Sequence, residues 1–98
     1  MYLDGVYFTG PILRADLTGR LAGIYAVISS YNQHVLDIGQ AEDVNARLTN
    51  HERRACWIAK SGNAFCFYVH YMPGSSEQAR LQLESQLRNA YSPLCGVR

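Results

Sequence analysis

Residues 21–48 read L-A-G-I-Y-A-V-I-S-S-Y-N-Q-H-V-L-D-I-G-Q-A-E-D-V-N-A-R-L, and this stretch decides the fold. From Leu21 to Ser30 the residues are largely β-branched, aromatic or small, with Ile24, Ala26 and Ile28 on one face of a strand and Tyr25 and Val27 on the other. Residues 29–33, Ser-Ser-Tyr-Asn-Gln, are turn-like, and His34 to Ala41 makes a second strand in which Val35, Asp37 and Gly39 share a face. Two such runs joined by a short polar turn predict an antiparallel hairpin. With Ser29 opposite Gln33, Tyr25 lies opposite Asp37, and any even slip keeps both on one face. Glu42 and Asp43 then open a helix, where negative charge suits the positive end of the dipole. Val44 and Leu48 form its buried edge, and Arg47, His51 and Arg54 follow at spacings of four and three along an adjacent stripe.

Downstream, Phe65 to Met72 alternates Phe65, Phe67, Val69 and Tyr71 against Cys66, Tyr68, His70 and Met72. Apolar residues on both faces predict a central strand. Pro73-Gly74 ends it, and Ser75 with Gln78 three residues on is a capping-box pattern for a final helix. That helix runs to about Tyr91, because Pro93 disfavours helical geometry at Ser92. Leu83, Leu87 and Tyr91 give it a core face, and Glu84 borders that face. Upstream, residues 1–20 are an N-terminal extension with a short strand near Gly5–Thr9 and a turn at Thr9-Gly-Pro. The expected architecture is α+β: a small three-stranded, mainly antiparallel sheet flanked by helices, in the order β-β-α-β-α, over residues 21–98.

Ninety-eight residues hold one core, and an apolar content of 48% supplies it. A net charge of +1 carries no whole-chain signature of a nucleic-acid binder. The charge is local instead: Arg47, Arg53, Arg54 and Lys60, with His51, stand against the single acid Glu52 between residues 47 and 60. Such a run is either a solvated helix face or a phosphate-contacting patch. Three cysteines cannot all pair and none is spaced C-x-x-C, which predicts a reduced, cytoplasmic chain. Neither a signal-peptide pattern nor an apolar stretch of membrane-spanning length is expected. Cys56, Cys66, His51 and His70 do not follow common zinc-ligand spacings, so Cys56 and Cys66 read as buried free thiols. Trp57 reads as a core residue before a base-stacking one.

Several of these landmarks, in this order, resemble the GIY-YIG nucleases. Gly23-Ile24-Tyr25 matches the first motif letter for letter. Asp37-Ile38-Gly39 falls at the place of the second, with Asp for Tyr. Arg47 stands at the family's arginine, His51 at its His-or-Tyr position, Glu84 at its metal-binding glutamate, and Pro93 at the expected distance behind. The resemblance covers residues 23–96 and implies a metal-dependent endonuclease that hydrolyses DNA. In it Glu84 would hold one Mg²⁺ or Mn²⁺, and Arg47 would grip the phosphate. Tyr25 and His51 would orient and help deprotonate the water. Arg53, Arg54 and Lys60 would add nucleic-acid contacts. Three positions depart from the pattern: Asp37, Gln40 for a frequent lysine, and Gly96 for a closing asparagine. Asp37 is then a replacement base, a second metal ligand, or the mark of a silent domain that binds nucleic acid or protein. A third reading is a small interaction module with a fortuitous motif. Such a domain would cut with little specificity, cut as a homodimer, or depend on a partner protein for targeting.

Overall fold

The computed structural model describes residues 1–96, so the last two residues of the domain expected to end at 98 lie outside the described part. A hairpin of β1 (Tyr2–Leu3) and β2 (Val6–Tyr7) leads into β3 (Thr9–Ile12) and a 3-10 turn at Ala15–Leu17. There follow β4 (Gly23–Ser29), β5 (Val35–Ala41), α1 (Val44–Thr49), α2 (Arg54–Ser61), β6 (Phe65–Tyr71) and α3 (Glu77–Tyr91). The main sheet runs β3-β6-β4-β5, and every neighbouring pair is antiparallel.

The α+β class stands, but the sheet has four strands rather than three. Thr9 pairs with Val69 and Ile12 with Phe67, so a Thr-Gly-Pro-Ile run that reads as a turn is an edge strand. Proline is tolerated at an edge, where its missing N–H breaks no ladder. β4 and β6 lie inside the sheet, as their two-sided apolar patterns require.

The predicted hairpin forms with its register shifted by two. Tyr25 is paired with Gly39, and Asp37 with Val27. The register then breaks: Ile28 pairs with Val35, leaving Leu36 as an extra residue on β5. Tyr25 and Asp37 keep a common face, because the slip is even. Val35 does not join them; the bulge turns it against Ile24, Ala26 and Ile28 on the opposite side.

The continuous helix expected through Arg54 is broken. Asp43 caps α1 by accepting the Ala46 N–H, and the helix stops at Asn50 after six residues. Asn50 sits outside helical geometry (φ −137°, ψ 77°), and α2 restarts at Arg54. Asn and Thr side chains compete with the helical backbone, which makes Thr49-Asn50 a weak point. The break turns His51 inward, where it is buried. At α3 the cap is Ser76, not Ser75: its side chain accepts the Ala79 N–H. Ser75 is spent on the preceding turn, donating its N–H to the Met72 carbonyl.

The sheet buries both faces. Tyr25, Val27, Phe67 and Val69 pack with Leu48 and Trp57 beneath α1 and α2, and Ile24, Ala26, Ile38 and Tyr68 pack with Leu87 of α3. The tail after α3 returns along β5, where the Leu94 and Cys95 N–H groups donate to the Val35 and Leu36 carbonyls. A Cys56–Cys95 disulfide fixes it to α2, so Cys56 is not a free thiol; Cys66 is free and buried. Their separation of 39 residues leaves no spacing motif to read.

Candidate active site

Tyr25 lies flat across Gly39 on the neighbouring strand. A Cβ at Gly39 would stand 2.1 Å from the Tyr25 oxygen and 2.3 Å from its Cζ, so only glycine lets this ring lie there. Gly23 has a similar reason: its Cβ would stand 2.4 Å from the His70 carbonyl oxygen of β6. Gly39 thus sets the height of the tyrosine above the sheet, and Gly23 lets the β6 backbone lie close against β4.

The hydroxyl of Tyr25 is 2.6 Å from His51 Nε2. His51 Nδ1 accepts the Arg53 backbone N–H at 3.0 Å, which places the ring proton on Nε2. Nε2–H therefore donates to the Tyr25 oxygen, and the Tyr25 O–H is left to donate elsewhere. Burial, with the nearby positive charges of Arg47 and Arg53, lowers the His51 pKa to about 4, so the ring is neutral at physiological pH. Burial, and then the negative charge of Asp37, pushes the Tyr25 pKa well above its ordinary value. The pair is a neutral hydrogen-bond donor.

Around that hydroxyl stand the charges of Asp37, Arg47, Arg53 and Glu84. Arg47 comes from the last turn of α1 and forms a two-pronged ion pair with Glu52, at 2.6 and 2.8 Å. Glu84 comes from α3, and its charge acts on the Tyr25 hydroxyl. It is half-buried, and among the described residues its carboxylate has neither hydrogen bond nor ion pair. Its neighbours one turn away on α3 face β5: Arg80 donates to Gln40 at 2.9 Å, and Arg88 donates to Asp37 and to the Ile38 carbonyl.

Asp37 is fully buried and saturated. Its oxygens accept from Arg53 Nε (2.7 Å) and Nη2 (3.2 Å), Arg88 Nη1 (3.1 Å), Trp57 Nε1 (2.9 Å) and the Ile38 N–H (2.9 Å). Gly96 covers the same cluster. Its carbonyl accepts from Arg88 at 2.8 Å, its φ is +85°, and a Cβ there would stand 2.6 Å from Arg88 Nη2 and 3.0 Å from Arg53 Nε.

Of the residues singled out in the sequence, Tyr25, Asp37, Arg47, His51, Arg53 and Glu84 come together at the β5 edge. Arg54 and Lys60 do not join them. The Arg54 guanidinium lies 5.5 Å over the Phe65 ring, and Lys60 sits on the exposed side of α2. Cys66 and His70 are engaged separately: Cys66 Sγ lies 3.8 Å from the Ile28 carbonyl oxygen, and His70 Nδ1–H donates to the Tyr7 carbonyl. Arg88 escaped the sequence reading, although its signal was present. An arginine one turn beyond Glu84 and next to Leu87 sits on a buried stripe, and a buried arginine needs acceptors for its N–H groups. A cleft lined by Arg20, Glu42, Pro73, Ser75 and Arg80 takes in none of Tyr25, Arg47, His51 or Glu84.

Strand order and site edge together define the class: the chain has the fold of a GIY-YIG endonuclease domain. Its solved counterparts include the GIY-YIG N-terminal endonuclease domain of UvrC from Thermotoga maritima. A point mutant of that domain bound to its catalytic divalent cation matches with a TM-score of 0.60 and 20% identity, over 86% of this chain and 91% of that one. The magnesium-bound form gives 0.59 and 20%, over 85% and 91%, and another point mutant gives 0.58 and 22%, over 86% and 91%. No protein-family model matches the chain, and no curated protein matches its sequence.

Proposed function

We propose that this chain is a divalent-metal-dependent endonuclease of the GIY-YIG type, hydrolysing DNA phosphodiesters by attack of water. The observation that carries the reading is the meeting of Tyr25, His51, Arg47 and Glu84, from four separate segments, at one sheet edge. Glu84 fits a hard cation: it is an oxygen donor without a protein partner among the described residues. Mg²⁺ is commonly held by one or two carboxylates, with waters and phosphate oxygens completing the shell. Glu84 would hold the cation, which would supply charge neutralisation at the phosphate and the departing oxygen.

The chain's own groups have distinct tasks. Arg47 offers a planar fork to phosphate oxygens. The Tyr25 O–H, oriented by His51, donates to water or a phosphate oxygen. His51 has no ring nitrogen free to accept a proton, so its part is positioning. Asp37 holds Arg53 and Arg88 in place and has no lone pair to spare for a base. That saturation also favours a second reading, a domain that binds nucleic acid without turnover. Nicking of supercoiled plasmid in Mg²⁺ or Mn²⁺ by wild type, lost in Glu84→Ala, supports the nuclease. Salt-sensitive DNA binding without nicking would replace it with the second reading.

A further inference from the structure

The ion pair on Arg47 involves the one acid of the basic segment. Glu52 lies in the break between α1 and α2, and its side chain is 62% exposed. A solvated glutamate on a loop has many rotamers to choose from, yet this one turns back over the site. Its oxygens lie 2.6 and 2.8 Å from the two terminal nitrogens of Arg47, 3.6 Å from Arg53 Nη1 and 3.8 Å from His51 Nδ1. One carboxylate thus bridges two guanidinium groups beside the Tyr25–His51 pair. The Arg53 guanidinium that it approaches is held from behind by Asp37, which leaves Nη1 as its forward-facing nitrogen.

Carboxylate and phosphodiester share the feature that a guanidinium fork recognises, two oxygens presented side by side with one negative charge. We infer that Glu52 is an intramolecular phosphate mimic: its carboxylate occupies the anion seat between Arg47 and Arg53, and a nucleic-acid phosphate binds by displacing it. The inference rests on the endonuclease reading and assigns Glu52 a task within it. An exposed pair is weak enough to exchange, and its exposure lets salt loosen it. Glu52 therefore sets how strongly a backbone must bind before it reaches Tyr25, and it discriminates against isolated weak anions. A longer polyanion gains from several contacts at once and overcomes it.

The test is binding of a fluorescent DNA duplex by anisotropy in Ca²⁺ at low salt. It uses the oxidised full chain as wild type, Glu52→Gln, Arg47→Ala and the double variant. Displacement predicts that Glu52→Gln binds roughly threefold tighter, as expected for releasing an exposed pair. The gain must shrink in the Arg47→Ala background, because the two-pronged pair is gone and only the 3.6 Å contact to Arg53 Nη1 is left to release. An undiminished gain there would be a general charge effect and would overturn the inference. So would Glu52→Gln binding no tighter than wild type while Arg47→Ala binds more weakly. If Arg47→Ala has no effect on binding, it is the reading of Arg47 as the phosphate contact that fails. All four proteins should unfold at similar urea concentrations, since the substitutions lie in exposed or half-exposed positions.

Discussion

Replacing Asp37 by Asn removes one negative charge, nearly isosterically, from a fully buried cluster. The Arg88 side chain in that cluster is 6% exposed and the Arg53 side chain 28%. Asn has one acceptor oxygen and a donating NH₂ where the carboxylate had two acceptors. At least one guanidinium or the Trp57 indole N–H would then face another donor. Breaking a buried pair from one side costs about 3–5 kcal/mol, because the partner's charge stays behind without compensation. Arg53 recovers part of this through water, so the lower figure, about 3 kcal/mol, is the prediction. Against a typical domain stability of about 5–15 kcal/mol, that loss lowers the midpoint temperature by at least about 12 °C for a chain of this size. Urea unfolding under non-reducing conditions, followed by fluorescence of Trp57 and by circular dichroism, reads it directly. Restoring the motif letter with Asp37→Tyr should be worse, since a larger, uncharged side chain would displace both arginines. A loss below about 1 kcal/mol for Asp37→Asn, the figure for a solvated surface pair, would refute the account of this cluster.

Two further predictions concern stability. His51 has a pKa of about 4 when folded against 6.5 as its ordinary value, so between these pH values the unfolded chain binds more protons. Its contribution is fully present above pH 6.5, falls as pH drops towards 4 and levels off below; at about 1.4 kcal/mol per pH unit it is at most about 3 kcal/mol. Urea midpoints at stepped pH for wild type and His51→Phe check this: the slope between pH 6.5 and 4 should flatten in the variant. Reduction of Cys56–Cys95 frees a loop spanning a separation of 39 residues. Chain entropy puts the loss at about 4 kcal/mol, measurable as a shift in urea midpoint with a dithiol reductant and absent in Cys56→Ser.

Much of the fold was legible because strand period and helix spacing are local signals. Tyr25 and Val27 against Ile24, Ala26 and Ile28, and the two-sided run from Phe65, specify faces whatever the partner. What escaped depended on long-range partners or on loop geometry. The turn, which sets Ile28 against Val35, and the one-residue bulge at Leu36 each moved the register by one, and the bulge turned Val35 over. The break at Asn50 gave His51 an inward position that an unbroken helix would have denied it. Thr9–Ile12 has too few apolar residues to announce an edge strand that is held mainly by its backbone. At the site, Gly23, Tyr25, Gly39, Arg47, His51 and Glu84 could be picked out by motif and spacing. The odd positions could not be interpreted singly. Asp37 and Gly96 stand 59 positions apart in sequence, yet both bear on the arginines at 53 and 88. Gln40 accepts from Arg80. The three departures from the resemblance are each answered by an arginine, a relation that only the folded chain displays.

The most direct test of the central claim is plasmid nicking by the oxidised chain with Mg²⁺, and separately with Mn²⁺, comparing wild type with Glu84→Ala. The account predicts nicking that needs the cation and falls at least about a hundredfold in the variant, while its urea midpoint stays near wild type. Equal nicking by both proteins, or nicking undiminished by a chelator, would contradict the assignment of Glu84 at the β5 edge as the metal-holding group of a nuclease.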